Sequence, residues 1–181
     1  MRIDVHNHAI PEPVLDLLRT ESVYGVHIDG MRWRGGNHVD FEIAESFVDP
    51  GAKLAQLARR EIGAAVISVA PPLFYYELEV GAAREMCSAT NEGLRQMCAI
   101  GGDRLSWLAH VPMQDPEVAA SVLGQALREP GCVGVEIGSS IDGRRLDLPE
   151  FESFWEAAER LRAPVLIHPD LSYEPNPSLS P

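Results

Sequence analysis

Five short apolar runs rich in valine and isoleucine alternate with longer amphipathic stretches: Arg2 to His6, Ala64 to Val69, Leu105 to Val111, Val133 to Ile137 and Val165 to His168. Runs of this length read as buried strands, and the stretches between them as helices. Asp49-Pro50 and Asp115-Pro116 each put a capping carboxylate before a proline whose missing N–H costs nothing in a first turn. Asp147 stands before Pro149 in a similar setting, which gives a third helix start. From Pro50, Leu54, Leu57 and Ala58 share one face, and Gly63 supplies the stop. Val118, Val122, Leu123 and Ala126 do the same after Pro116, and Phe151, Phe154, Trp155, Ala158 and Leu161 after Pro149. The alanine-rich segment from Glu79 to Cys98 is a further helix. Strands taking turns with helices predict an α/β chain built on a parallel sheet.

Two segments break the rhythm. His8 to Asp49 is a long excursion with a short helical piece around Val14 to Arg19 and a loop from Gly30 to Gly36. Insertions between a strand and its helix tend to carry function. At the other end, residues 171–181 hold three prolines and no periodicity, and read as an irregular tail after a domain spanning 1–170.

Charge narrows the partners. Fifteen basic against 27 acidic side chains leave a formal net charge of −12, which disfavours phosphate backbones and anionic membrane surfaces. A small molecule or another protein fits better than nucleic acid or membrane. The first residues, Met-Arg-Ile-Asp-Val-His, do not read as a signal peptide, and no apolar run approaches a membrane span. Cys87, Cys98 and Cys132 show no metal-finger spacing. On one helix Cys87 and Cys98 stand roughly 16 Å apart, too far to bridge. They read as reduced thiols of a cytoplasmic protein. The only lysine is Lys53 among fourteen arginines, a skew attributed to genomic composition.

The chemistry concentrates at strand ends. In Asp4-Val5-His6-Asn7-His8 the period of two projects Asp4, His6 and His8 to one side, with Ile3 and Val5 turned to the helices. Two imidazoles fixed on one strand make half a site for a divalent cation such as Zn(II), with Asp4 placed to orient a ligand. The run Val165 to His168 ends in a third imidazole on the same interior side as Leu166. Active sites of parallel α/β proteins gather at the carboxyl ends of strands, where His6, His8 and His168 converge. Glu136 faces inward between Gly134 and Gly138 and needs a partner: a metal, a substrate or an arginine. His110 reads as a hydrogen-bonded core residue, His27 and His38 as surface residues. Arg32 and Arg34 flank Trp33 in the excursion, a solvated loop or a clamp for a substrate carboxylate. There is no Gly-rich phosphate loop or Gly-x-Ser-x-Gly elbow, and no cysteine in a nucleophile motif.

The succession Ile3-Asp4-Val5-His6-Asn7-His8, Phe47-Val48-Asp49-Pro50, Val111-Pro112-Met113-Gln114-Asp115, Gly134-Val135-Glu136-Ile137-Gly138 and Ile167-His168-Pro169 resembles the amidohydrolase superfamily. The nearest branch is the amidohydrolase-2 family, the group similar to aminocarboxymuconate-semialdehyde decarboxylase. The resemblance implies a distorted (β/α)8 barrel of the TIM type holding one divalent ion, usually zinc, with His6 and His8 as first-strand ligands and His168 as the fifth-strand ligand. It further implies nonoxidative decarboxylation of an unsaturated or aromatic carboxylic acid, or a related hydrolysis. Two family residues lie past the fifth strand: an acid or base histidine after the sixth and a metal-binding aspartate after the eighth. These 181 residues do not reach either strand, and the motif gives Asp170 no claim to replace the aspartate. The place where the semialdehyde decarboxylases carry a substrate arginine falls near Phe41, with Arg32 or Arg34 as substitutes.

A (β/α)8 barrel takes about 250 residues, so the expected fold is its first five (β/α) units, an incomplete barrel with unpaired edges. The leading expectation is a metal-dependent carboxy-lyase or hydrolase whose catalytic acid or base lies outside this sequence. The competing one is a catalytically incomplete half-barrel serving as a binding or assembly module. Its open edge would be covered by a second copy or another chain.

Overall fold

The computed structural model describes residues 1–35 and 40–169. Gly36, His38, Asp170 and the 171–181 tail lie outside the described residues. Strand β1 (Ile3–Ala9) leads through α1 (Glu12–Thr20) into an antiparallel meander of β2 (Val26–Asp29), β3 (Arg32–Gly35) and β4 (Asp40–Glu42). The short α2 (Glu45–Val48) and α3 (Pro50–Arg59) precede β5 (Ala64–Val69), which is followed by α4 (Val80–Gly101), β6 (Leu105–His110) and α5 (Pro116–Ala126). Then come β7 (Cys132–Gly138), a two-residue ribbon of β8 (Ser140–Ile141) and β9 (Arg144–Arg145), α6 (Glu152–Leu161) and β10 (Val165–His168). The five predicted strands are β1, β5, β6, β7 and β10, and they form one parallel sheet in chain order.

Two of the three predicted caps form. The Asp49 carboxylate accepts from the Ala52 N–H at 2.6 Å and Asp115 from the Val118 N–H at 3.1 Å. The third does not. Arg145 holds Asp147 through two hydrogen bonds of 2.9 and 2.6 Å, and Pro149 opens only a 3-10 turn before α6 starts at Glu152. The predicted loop from Gly30 is likewise corrected, because Arg32–Gly35 is strand β3. Asp29 pairs with Arg32 across a two-residue turn whose first central residue, Gly30, has φ +59°, the hairpin geometry that glycine favours. Trp33 is buried while Arg32 and Arg34 are exposed, so a period of two runs through a segment read as loop.

The sheet is strongly curled. Laid flat, the outer two of five strands would stand roughly 19 Å apart at about 4.8 Å per strand. Yet the rings of His6 on β1 and His168 on β10, its two edges, lie 4.9 Å apart centre to centre. Curling turns one face inward and packs the other on the helices, with Ile67, Val69, Trp107, Val135 and Ile137 meeting Met86, Leu94, Leu123 and Phe154 in one buried cluster. At the edges this outer packing stops. Val5 is 64% exposed, Ile3 55% and Ile167 48%. The expectation that these side chains face helices is therefore corrected: no described helix covers them. Among the described residues no helix is long and apolar enough to cross a membrane. Cys87 and Cys98 are buried on α4 and unbridged.

Lys53, only 1% exposed, is the unexpected part of this core. It shares an inward stripe of α3 with Leu57, four residues on. Its ammonium donates to Asn7 Oδ1 at 2.6 Å and to the His8 carbonyl at 2.7 Å, and lies 5.2 Å from the centre of the Phe47 ring. Burial pulls it down to about 8, against the attraction of Asp4. His110, fully buried on β6, has its backbone clamped on both sides by the Asn91 amide, at 2.7 and 2.9 Å.

Replacing Lys53 with Met leaves Asn7 and the His8 carbonyl without their donor, and should cost about 2 kcal/mol in urea unfolding. His110 supplies a pH signature, since burial pushes its imidazole down to about 3. The unfolded chain binds this proton near pH 6.5, so the contribution is fully present above pH 6.5 and is lost as pH falls from there toward 3. The slope should be roughly 1 kcal/mol per pH unit. Denaturation of His110→Gln across that range should show a correspondingly shallower acid loss than wild type.

Candidate metal centre

Strand β1 carries its two histidines past an irregularity. Asp4 pairs with Ala65 but Asn7 pairs with Ile67, so β1 spends one residue more than β5 over the same span. A bulge of this kind re-aims the side chains around it. Asp4 leaves the predicted alternation and binds locally, accepting from the His6 N–H at 3.1 Å and from the Asn7 amide at 2.9 Å. Its carboxylate shapes the strand and joins the Asn7 and Lys53 network; among the described residues no hydrogen bond ties it to an imidazole ring.

The rings of His6, His8 and His168 form a nearly equilateral triangle, with centre-to-centre distances of 4.7, 4.9 and 5.0 Å. His8 Nδ1 stands 2.8 Å from the Val69 carbonyl and His168 Nδ1 2.7 Å from the Pro169 carbonyl. A carbonyl can only accept, so both Nδ1 atoms carry the proton, and in the neutral rings the lone pair sits on Nε2. The Nε2 atoms of His6 and His8 face each other at 3.0 Å. Burial is the main reason the His8 imidazole is held down at about 4; the Val69 carbonyl opposes this, while His6, His168 and Lys53 reinforce it. Near neutral pH His8 is a neutral donor, the form a cation binds.

Glu136 enters from β7, next to β10, in register with His110 on one side and Leu166 on the other. It is fully buried, and neither carboxylate oxygen has a hydrogen-bond partner. Burial raises it to about 7; the Ser68 hydroxyl pulls the other way without reaching hydrogen-bond geometry. The flanking glycines serve close packing. A Cβ on Gly134 would overlap the Pro164 carbonyl oxygen, and one on Gly138 would crowd Tyr76 and the Ser140 carbonyl. One donor atom from each of His6, His8, Glu136 and His168 falls within 4.8 Å of every other. An orphaned buried carboxylate beside three imidazoles, two of them with the proton held on Nδ1, suits a divalent cation.

The wall beside these groups is aromatic. Phe74 stacks on Tyr76 at 5.2 Å, and its ring centre lies 6.4 Å from His168 and 6.1 Å from His110. Tyr76 Oη accepts from the Gly138 N–H at 2.9 Å, which fixes this wall to the end of β7. Neither Phe74 nor Tyr76 was singled out in the sequence, although Phe74-Tyr75-Tyr76 follows closely on a strand end. Lys53 was passed over too, and its signal was the i, i+4 spacing to Leu57. Arg32 is ion-paired with Asp40 at 2.8 Å, and Arg34 is exposed on the meander. Phe41 stacks on Trp33, with ring centres 5.7 Å apart. No described hydrogen bond or ion pair joins either arginine to the histidine cluster.

Among curated proteins, a 2-amino-3-carboxymuconate-6-semialdehyde decarboxylase of Dictyostelium discoideum is 28% identical over 93% of this chain and 49% of its own length. A gamma-resorcylate decarboxylase of Rhodococcus jostii is 29% identical over 65% of this chain and 38% of its own. Among solved structures, the 5-carboxyvanillate decarboxylase of Novosphingobium aromaticivorans, in complex with manganese and 4-hydroxy-3-methoxy-5-nitrobenzoic acid, superposes with a TM-score of 0.71 at 22% identity. That match covers 97% of this chain and 53% of the other. The chain thus spans about half the length of the curated relatives it matches, and its curled sheet corresponds to part of a larger fold. The amidohydrolase family matches residues 3–178, nearly the whole sequence, and with the strand order and the histidine cluster already in place, the chain belongs to that family.

Proposed function

We propose that this chain carries the metal-binding part of a nonoxidative decarboxylase acting on an aromatic or unsaturated carboxylic acid. The observation that carries the reading is the triangle of imidazoles at the carboxyl ends of β1 and β10, two with lone pairs freed by backbone carbonyls. His6, His8 and His168 would hold a divalent ion, which in such a site supplies Lewis acidity toward a substrate oxygen. Zinc suits three imidazoles; manganese is the ion named for the carboxyvanillate enzyme.

The chain's own groups shape the rest of the site. Phe74, packed on Tyr76 and near His168, offers an apolar face against which a planar ring or diene can lie. Decarboxylation leaves a carbon that must take up a proton, so the reaction needs an acid near that carbon. That acid is assigned to the histidine that follows the sixth strand in the family's barrel. Arg32 and Arg34 would contact a substrate carboxylate; Arg32 would have to leave Asp40 to serve. Asp4 acts through Asn7 and the β1 backbone.

A second reading has its own support. Ile3, Val5 and Ile167 leave apolar surface uncovered at both edges of the sheet, which suits a module that docks against further strands, a second copy or another chain. Light scattering separates the cases: a monodisperse monomer at high concentration would count against docking between copies.

The metal claim predicts about one tightly held divalent ion per chain after dialysis, lost in His6→Ala and in His8→Ala; equal and negligible metal in wild type and variants overturns it. The substrate claim is checked by carbon dioxide release from hydroxylated benzoates and a carboxymuconate semialdehyde, with zinc or manganese loaded. Phe74→Ala should raise KM for the best substrate severalfold, up to about tenfold, in keeping with the roughly 0.5–1.5 kcal/mol of an aromatic ring contact. An unchanged KM would remove Phe74 from the substrate wall.

A further inference from the structure

We propose that Glu136 is a fourth protein ligand, so that β1, β7 and β10 together present a complete donor set of three imidazoles and one carboxylate. The inference deepens the metal reading above and rests on it. It starts from a cost. A carboxylate with no exposure and no hydrogen bond is among the most expensive groups a core can hold, and such groups survive where something binds them. The ordinary partners do not serve Glu136. No described arginine or lysine forms an ion pair with it, and the buried ammonium of Lys53 is committed to Asn7 and the His8 carbonyl. The Ser68 hydroxyl, its polar neighbour, makes no bond to it.

Geometry then selects the cation. The donor atoms of His6, His8, Glu136 and His168 lie within 4.8 Å of one another, against roughly 3.4 Å between ligands around a tetrahedral ion with bonds near 2.1 Å. Small side-chain rotations close that difference. The backbone is built to keep the carboxylate there: Gly134 lets β7 approach the Pro164 carbonyl before β10, and Gly138, held by Tyr76, fixes the next inward position. Glu136 therefore comes from the strand beside the His168 strand, while His6 and His8 come from across the curl. The chemistry is also consistent. Imidazoles bind as neutral donors and leave a divalent charge unbalanced, and Glu136 is the carboxyl group whose donor atom belongs to the same cluster.

The test uses the whole chain and cobalt(II), whose visible absorption reports the number and kind of its ligands. Metal-free wild type, Glu136→Gln, Glu136→Asp and His6→Ala are titrated with cobalt(II), with circular dichroism confirming that each is folded. Glu136→Gln should bind at least about tenfold more weakly than wild type and with a changed visible spectrum. Glu136→Asp, which retracts the carboxylate by one methylene, should fall between, and it carries the test if the Gln variant does not fold. A folded Glu136→Gln, or Glu136→Asp in its place, that keeps the wild-type affinity and spectrum while His6→Ala loses binding overturns the fourth ligand and leaves the three-histidine reading intact. Wild type that binds no cobalt(II) overturns both.

Discussion

The site depends on one mechanical fact: a five-stranded parallel sheet curls far enough for side chains on its two edge strands to touch. His6 and His168 meet at 4.9 Å although three strands lie between their own. Sheet twist and helix packing on the outer face supply the curl, and the buried cluster of strand and helix residues holds it. Without it the three imidazoles would be isolated surface groups. With it, the three rings converge on one point, and His8 is kept from protonation by its own burial.

Lys53 protects that convergence from the outer side. Its ammonium ties the His8 carbonyl and Asn7 to α3, while Asp4 braces the bulge through Asn7 and the His6 N–H. Positive charge so close to His8 disfavours its protonation and leaves its lone pair for a cation; the same charge would repel that cation if nothing offset it. Asp4, which attracts Lys53, and Glu136, a donor of the cluster, supply the offset. The arrangement is a balance of buried charges set by geometry, with each group engaged by a neighbour except the carboxylate of Glu136.

Much of this was readable in the residues, and the failures have physical causes. The five strands lay in apolar runs because each interior strand is covered by helices. Histidine at a strand's end was readable because carboxyl ends share one rim. The bulge in β1 was not, since nothing in Asp4-Val5-His6-Asn7 marks the extra residue, and Asp4 was therefore assigned to the wrong set of neighbours. The meander is hidden because the glycines at Gly30, Gly35 and Gly36 suggest a loop, while Gly30-Met31 is a hairpin turn with Trp33 and Ile28 on the buried face. Lys53 was hidden by its own chemistry: lysine is so rarely buried that its place on the Leu57 stripe went unread. Outward Ile3, Val5 and Ile167 misled in the other direction, since apolar side chains on a strand announce a covering layer without saying which part of a protein supplies it.

Donors placed on β1, β7 and β10 tie ligand binding to the shape of the sheet itself. An ion that prefers the curled state stabilises it by RT ln(1 + [L]/Kd), about 2.7 kcal/mol at a hundredfold excess over Kd. The stabilisation would act across the curl, between the two strands with the least outer packing, where Val5 and Ile167 stand exposed. With imidazoles from one edge and an imidazole with its neighbouring carboxylate from the other, an ion bound there would act as a cross-brace. In this half-barrel, the groups arranged for chemistry are also those best placed to hold the sheet in the form that chemistry requires.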